Sequence, residues 1–481
     1  MTTSFPPISY PSKPVPPFTA EPPRNQFPGF FPDMWKNIKG KPYITVSSKG
    51  LANGLSEYFN DGADFGPDSL QADGSLTQTS GIQEAVNYIY NSGTTTSGNG
   101  GKSLLVGSIY LDGDVFNIDA PITIPAAPSG TYGPNLTIKG RGLQNTILNF
   151  NFDSKWGITI SSDNSYGMFS FEGFSPDSGS GYTPNGWLNA DWSGSSNAGQ
   201  SNMILKDINV YPATWATNSM VLKSMAYVLL LNVWDTTNSS NTGPVLASEL
   251  NQWIGGVSYQ PINLTNTSIG TFVTELDGLQ SCPVSVTFGT ALLSVRNCMG
   301  FVFTIGGATM TNLYLENVEY GSLSGSALIS ASSSSTINML TIIGLFTNTT
   351  QTKSLLDTTN LTVLKLSTEG INPSSGTLTL PSVSIPTNPP VSGTAYQNTN
   401  PYDIRLKIPV TYSPTSTAAA TLATGTSSSS TVTTSTKTSL PSGLTAADGQ
   451  ILTYDMVVPA GWYYELVATN ATIGTAEVET A

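Results

Sequence analysis

No histidine occurs anywhere in this 481-residue chain. Its absence removes the commonest general base, the commonest metal ligand and the usual pH switch, so any chemistry must run on carboxylates, Lys, Arg or Tyr. Charge of either sign is scarce, at 10% of the chain, and 18 Lys and Arg against 31 Asp and Glu leave a formal net charge of −13. A cationic footprint for nucleic acid is therefore missing, which counts against DNA and RNA as partners. Cysteine is limited to Cys282 and Cys298. Two are too few for a disulfide framework and lack zinc-ligand spacing, so buried free thiols are expected. No apolar run reaches the roughly 18 to 20 residues of a membrane span. Met1 to Phe31 has neither a charged n-region nor an apolar h-region, so no secretory signal is expected.

What the chain does have is length and hydroxyls. It is long enough to bury a large core. Its 46 glycines, with abundant Ser, Thr, Asn and Tyr, favour β-structure over surface helices, which lean on Glu, Lys and Arg. Asn-x-Ser/Thr sequons begin at Asn135, Asn238, Asn263, Asn266, Asn348, Asn360 and Asn470. They fit a glycosylated outer surface, although a chain this rich in Asn, Ser and Thr produces most of them by chance.

Residues 1–45 carry prolines too dense for helix or central strand, and their aromatic residues predict an extended arm that docks, either on its own domain or on another protein. The spacing of Ile82, Ala85, Val86 and Ile89 predicts one amphipathic helix between Thr79 and Gly93, opened by a Ser80/Gln83 capping box. A glycine-rich loop, TTTSGNGG, follows. Short strands come next: SLLVGSIYL, VFNI, PITIP and NLTIKGRGLQNTILNF.

From Met203 a weak repeat sets apolar residues at alternate positions, then Asn, Asp or Gly, then another apolar residue. It reads MILKDI, VLLLNV, LLSVRNC, LYLENV and LTIIGL, at spacings clustering near 20 to 27 residues with one gap near three times that. This is the coil length of a β-solenoid, in which each coil buries its apolar residues against its neighbours. Asp207, Asn232, Asn297 and Asn317 are candidates for a polar ladder at the bend of successive coils. The expected organisation is the arm, a parallel β-helix over 46–370, a Pro/Ser/Thr-rich linker over 371–393, and a small β-sandwich or jelly roll over 394–481.

The block from Asn60 to Phe150 resembles the N-terminal signature of pectate-lyase-like β-helix proteins, a group that includes phage tailspikes and endo-polygalacturonase relatives. The segment NDGADFGPDS, the helix SGIQEAVNYIYNSG, the glycine-rich loop and the first strands follow its order. Asp112-Gly113-Asp114 stands where that family commonly has a Pro-Gly-x-Tyr turn. The resemblance implies an all-β, right-handed parallel β-helix with a short capping helix at its N-terminal end. The stretches GTAYQNTNPYDIRLKIPV and VPAGWYYELVATNATIG resemble small β-modules at the ends of phage and archaeal-virus structural proteins.

The family includes hydrolases with clustered aspartates and lyases that hold calcium by carboxylates beside a basic residue. The hydrolase pattern loses its helping histidine here, and of the four arginines only Arg296 lies in the repeat. Acids near coil strands are Asp207, Asp235, Glu275, Asp277, Glu316 and Glu319. The catalytic candidates are Glu316, Arg296 and Asp277, with a surface ion pair as the alternative reading of Glu316 and Arg296. Trp187, Trp192, Trp215 and Trp234 are candidates for stacking on sugar rings, with core packing as their alternative.

The leading expectation is a tailspike-like or capsid-decorating virion protein, extracellular or on the virion surface. Its arm would contact other virion proteins, and its aromatic residues a host polysaccharide or glycoprotein. Assembly as a homo-oligomer, a trimer by resemblance, is expected. The alternatives are a polysaccharide lyase or glycoside hydrolase on acidic glycans, and a microbial surface-layer or adhesion protein. No cofactor or metal is expected, calcium belonging to the lyase alternative alone.

Overall fold

A computed structural model describes residues 43–49, 63–92, 94–97, 103–128, 131–164, 166–211, 214–237, 243–265, 273–287, 290–320, 327–347, 353–357, 359–369, 372–373, 378–379, 385–400, 403–413, 419–427, 451–459 and 461–480. The expected N-terminal arm lies outside the described residues except for its last three. Among the described residues the chain is a parallel β-helix with one helix, followed by small antiparallel sheets. Contacts divide it into two units, Met1–Val284 and Ser285–Ala481.

In the first unit the coils build two parallel sheets, and every coil from Ser103–Asp112 to Leu250–Ser258 gives one strand to each. The broad sheet runs Ile44–Ser47, Ser103–Asp112, Thr131–Lys139, Met168–Ser178, Asn202–Val210, Tyr227–Asp235, Leu250–Ser258 and Val273–Leu279. The narrow sheet runs Ile122–Ile124, Trp156–Ile160, Gly186–Asp191, Met220–Lys223, Val245–Ala247 and Ile262–Leu264. Pairing is in register, Met203 against Val228 and Val228 against Asn251. Alternation explains the burial: Met203, Leu205, Ile208 and Val210 point inward and are fully buried, while Lys206 is exposed. The interior is aromatic at one level, where Phe171, Phe174 and Trp187 meet edge to face.

The helix Ile82–Ser92 packs on the strand Ser103–Asp112 and buries Ile82, Ala85, Val86 and Ile89. Gly107 makes this approach possible, because a Cβ there would lie 2.6 Å from Ile89 Cδ1. The expected Ser80/Gln83 capping box is replaced by a different cap. Thr79 Oγ1 accepts the Gln83 amide at 3.1 Å, while Ser80 adopts φ 51° and donates to the Asn117 carbonyl. Part of the expected glycine-rich loop is strand, since Thr94–Ser97 pairs antiparallel with Ser103–Val106. Gly93 lies outside the described residues.

In the second unit the coils are built from Thr290–Arg296, Thr309–Tyr320, Ser335–Thr347 and Leu361–Glu369 in one sheet, and from Val302–Gly306, Ala327–Ser333 and Lys353–Leu356 in the other. The expected linker takes part in structure. Asn372–Pro373 pairs with Phe346 and Thr347, and Leu378–Thr379 with Lys353 and Ser354. Asn388 and Ser392 hydrogen-bond to the backbone of Ala476 and Ala468.

The C-terminal module is a β-sandwich. Ile404–Tyr412 pairs antiparallel with Ile451–Val458, Ala471–Ile473 and Glu477–Thr480. Tyr463–Thr469 lies between Ala395–Gln397 and Ala419–Gly425. Alternate residues Ile404, Leu406, Ile408, Val410 and Tyr412 share one core with Leu422, Tyr454, Met456, Tyr464 and Leu466, and Leu366 of the last full coil packs against it.

Candidate functional site

The helix buries its apolar stripe and turns a row of amides outward. Gln83, Asn87 and Asn91 are four residues apart and lie on one face. With Gln71, Gln78, Glu84, Phe65 and Tyr88 they line a groove of about 550 Å³, within the range of sites that hold a small ligand. Gln83 is held at both ends of its amide. Its Nε2 donates to the Thr123 carbonyl at 2.9 Å, and its Oε1 accepts the Thr123 amide at 2.6 Å. Gln83 Nε2 also donates to Asn87 Oδ1 at 3.0 Å, which orients the Asn87 amide. Glu84 Oε2 accepts the Thr77 and Thr79 hydroxyls at 2.7 and 3.3 Å. The Phe65 and Tyr88 rings lie 6.2 Å apart, tilted. The groove therefore offers oriented amides, one hydrogen-bonded carboxylate and the half-buried Tyr88 ring, with the buried Phe65 behind it, a set suited to a neutral polyhydroxylated ligand.

The sequence-predicted ladder residues sit at the corner of the coil, all in left-handed backbone: Asp207 (φ 51°), Asn232 (φ 52°), Asn297 (φ 50°) and Asn317 (φ 51°). Asn232 Nδ2 donates to Asp207 Oδ1 at 2.8 Å, and Asn317 Nδ2 to Asn297 Oδ1 at 2.9 Å. Flanking coils of the first unit place Gly255 (φ 68°) and Gly278 (φ 70°) at the same corner. Only Gly, Asn and Asp accept this conformation at low cost, and it lets two successive side chains face outward so that the strand turns.

The tryptophans divide. Trp187, Trp192 and Trp215 are completely buried, so their assignment to sugar stacking is corrected: Trp187 packs against Phe171 and Phe174, Trp192 against Phe169, and Trp215 against Phe150. Trp234 stays at the surface, where its Nε1 donates to Asn232 Oδ1 at 2.7 Å. That bond reaches back along its own strand and lays the indole along the surface.

Arg296 and Glu316 are register partners on adjacent coils, Nε to Oε2 3.3 Å, and both side chains are about half exposed. The Tyr314 hydroxyl donates to Glu316 Oε2 at 3.1 Å, and Arg296 Cζ lies 5.4 Å from the Tyr314 ring centroid. This is a solvated ion pair braced by a phenol. Asp277 belongs to the strand Val273–Leu279 of the first unit and is in register with Ile254. Asp235 is fully buried, and Ser219 and Thr237 donate their hydroxyls to it. Burial pushes its carboxyl above the usual range against those bonds. Among the described residues no three of His, Cys, Asp and Glu gather as a metal site. Cys282 and Cys298 are buried thiols that form no disulfide.

The groove went unrecognised in the sequence because the helix is conspicuous by its apolar stripe. The Gln83, Asn87, Asn91 spacing on the opposite face was the available signal. Compared with models of protein families and with curated proteins, the chain matches none.

Proposed function

We propose that this chain is a virion surface protein of the tailspike-like kind, extracellular, which docks on other virion proteins through its Pro- and aromatic-rich N-terminal arm and holds a host-surface glycan. The observation that carries the glycan reading is the amide-lined groove over the helix, with the partly exposed Tyr88 ring in its wall. Amides pair with vicinal hydroxyls, and aromatic faces take the apolar side of a sugar ring. Supporting it are the solenoid fold, the scarcity of charge and the surface indole of Trp234. The net charge of −13 and the Glu84 carboxylate in the groove select neutral over acidic glycans.

The test is calorimetry of the full chain against neutral and acidic oligosaccharides, with an assay for new reducing ends and unsaturated products. A neutral oligosaccharide is expected to bind without turnover. Asn87→Ala and Asn91→Ala, both at exposed positions, are each expected to weaken it roughly tenfold, the worth of one good hydrogen bond. Calcium-dependent release of unsaturated products from an acidic polysaccharide would overturn the reading in favour of a lyase.

A further inference from the structure

The outward face of the broad sheet in the first unit carries apolar residues where alternation calls for polar ones. Ile204, Leu229, Leu231, Leu250 and Val273 face out and are partly exposed, and Ile254 is 45% exposed. They adjoin one another, because Ile204 is in register with Leu229, Leu231 with Ile254, and Leu250 with Val273. A solvated sheet face does not normally hold a patch of this kind.

The chain enters its fold on this same face. Tyr43 is the first described residue, and its ring meets that of Tyr110 edge to face, with centroids 5.2 Å apart. Tyr110 stands at the foot of the column that continues through Lys139, Glu172, Lys206, Leu231 and Ile254. At about 4.8 Å per coil, Leu231 and Ile254 lie roughly 19 and 24 Å above it. Ahead of Tyr43 the sequence reads FPGFFPDMWKNIKGKP, residues 27–42. Trp35 is eight residues ahead of Tyr43. At about 3.1 Å per residue, extended chain carries it roughly 25 Å, the height of Ile254. Phe31 and Phe30, four and five residues further out, have the reach to cover Leu250 and Val273.

We infer that residues 27–42 fold back along the solenoid and dock on this face of their own chain, Trp35 on Leu231 and Ile254, and Phe30 and Phe31 beside it on Leu229, Leu250 and Val273. The tether decides the occupant. A segment anchored at the foot of the column meets the face at high effective concentration, so a patch too small for a separate protein suffices for it. The docked stretch is then a fixed mount, and residues 1–26, with Phe5, Tyr10 and Phe18, are left to reach another virion protein. This docking rests on the sheet face and the length of the arm, and is independent of the glycan reading of the groove.

Limited trypsin digestion of the full chain tests it. Arg24 lies outside the docked stretch, and Lys36 and Lys39 lie inside it. In the native chain, cleavage after Lys36 and Lys39 is expected to be at least roughly tenfold slower than after Arg24. Trp35→Ala, and separately Leu231→Gln combined with Ile254→Gln, are each expected to bring it within about threefold of the Arg24 rate, with circular dichroism showing that the fold survives. The protection is expected to persist through a roughly hundredfold dilution, as an intramolecular contact must. Equal cleavage at the three sites in the native chain overturns the proposal. So does protection that the Leu231 and Ile254 variant leaves intact, which puts the stretch elsewhere, or protection lost on dilution, which assigns it to a second copy.

Discussion

Asn232 donates an amide hydrogen to Asp207 Oδ1 at 2.8 Å across one coil, and both residues hold left-handed backbone, φ 52° and 51°. One residue type is doing two jobs at this corner: its backbone tolerates the bend, and its side chain ties the bend to the coil before it. The two can be separated by substitution. Asn232→Gly keeps the conformation and loses the side-chain bonds, and is expected to cost about 1 kcal/mol. Asn232→Ala loses both and is expected to cost about 2 to 3 kcal/mol. Denaturant midpoints of the two variants check the order; an equal loss would remove the backbone contribution from the account.

Much of the fold was legible because this corner repeats. Met203, Leu205, Asp207 and Ile208 of one coil return as Val228, Leu230, Asn232 and Val233 of the next. Two coils escaped the pattern and produced its long gap. Leu250–Ser258 and Val273–Leu279 carry Asn251 and Thr274 in the first inward position, where the pattern expects an apolar residue. Both are fully buried, and Asn251 Nδ2 donates to Thr274 Oγ1 at 3.3 Å. A polar pair joined through the Asn251 Nδ2 inside the core imitates a surface position in the sequence, and the Asn251 Oδ1 is left buried with no hydrogen-bond partner among the described residues. The groove was hidden for a different reason, since its walls come from segments that only the folded chain brings to the helix.

Position within the repeat also sorts the tryptophans. Trp253 takes the inward place held by Leu205, Leu230 and Leu276 in other coils and is fully buried, while Trp234 falls on the outward place between buried Val233 and Asp235. Trp253→Ala is therefore expected to cost about 3 to 5 kcal/mol through the cavity it leaves. Trp234→Ala is expected to cost under about 1 kcal/mol, the range of a surface substitution. Denaturant unfolding of both checks the contrast, and a comparable loss at Trp234 would mean that its ring is structural.

The Arg296–Glu316 pair is exposed and solvated, so its Coulomb energy is largely screened. Glu316→Gln keeps the shape and removes the charge, and is expected to shift stability by less than about 1 kcal/mol, the shift shrinking further in high salt. A loss of several kcal/mol that salt does not alter would show that the pair organises its neighbourhood beyond its own contact.

Asp235 couples the interior to pH. Burial raises its pKa above 3.8 despite the hydrogen bonds from Ser219 and Thr237, so the folded protein keeps this proton to a higher pH than the unfolded chain does. Below the unfolded value both states are protonated and the contribution to stability is fully present. As pH climbs from there toward the folded value, the unfolded chain ionises first and stability is lost. Asp177 is shifted the same way by burial. Asp455 works in the opposite sense, because the hydrogen bond from Arg405 lowers its pKa, and its contribution is lost as pH falls through that lowered value. Asp235→Asn replaces the titrating group with a neutral one whose Oδ1 can accept from the Thr237 hydroxyl while its Nδ2 donates to the Ser219 hydroxyl. Denaturation midpoints measured between about pH 4 and 7 are expected to decline in the native chain and to decline less in this variant. Identical slopes would show that Asp235 does not set the profile.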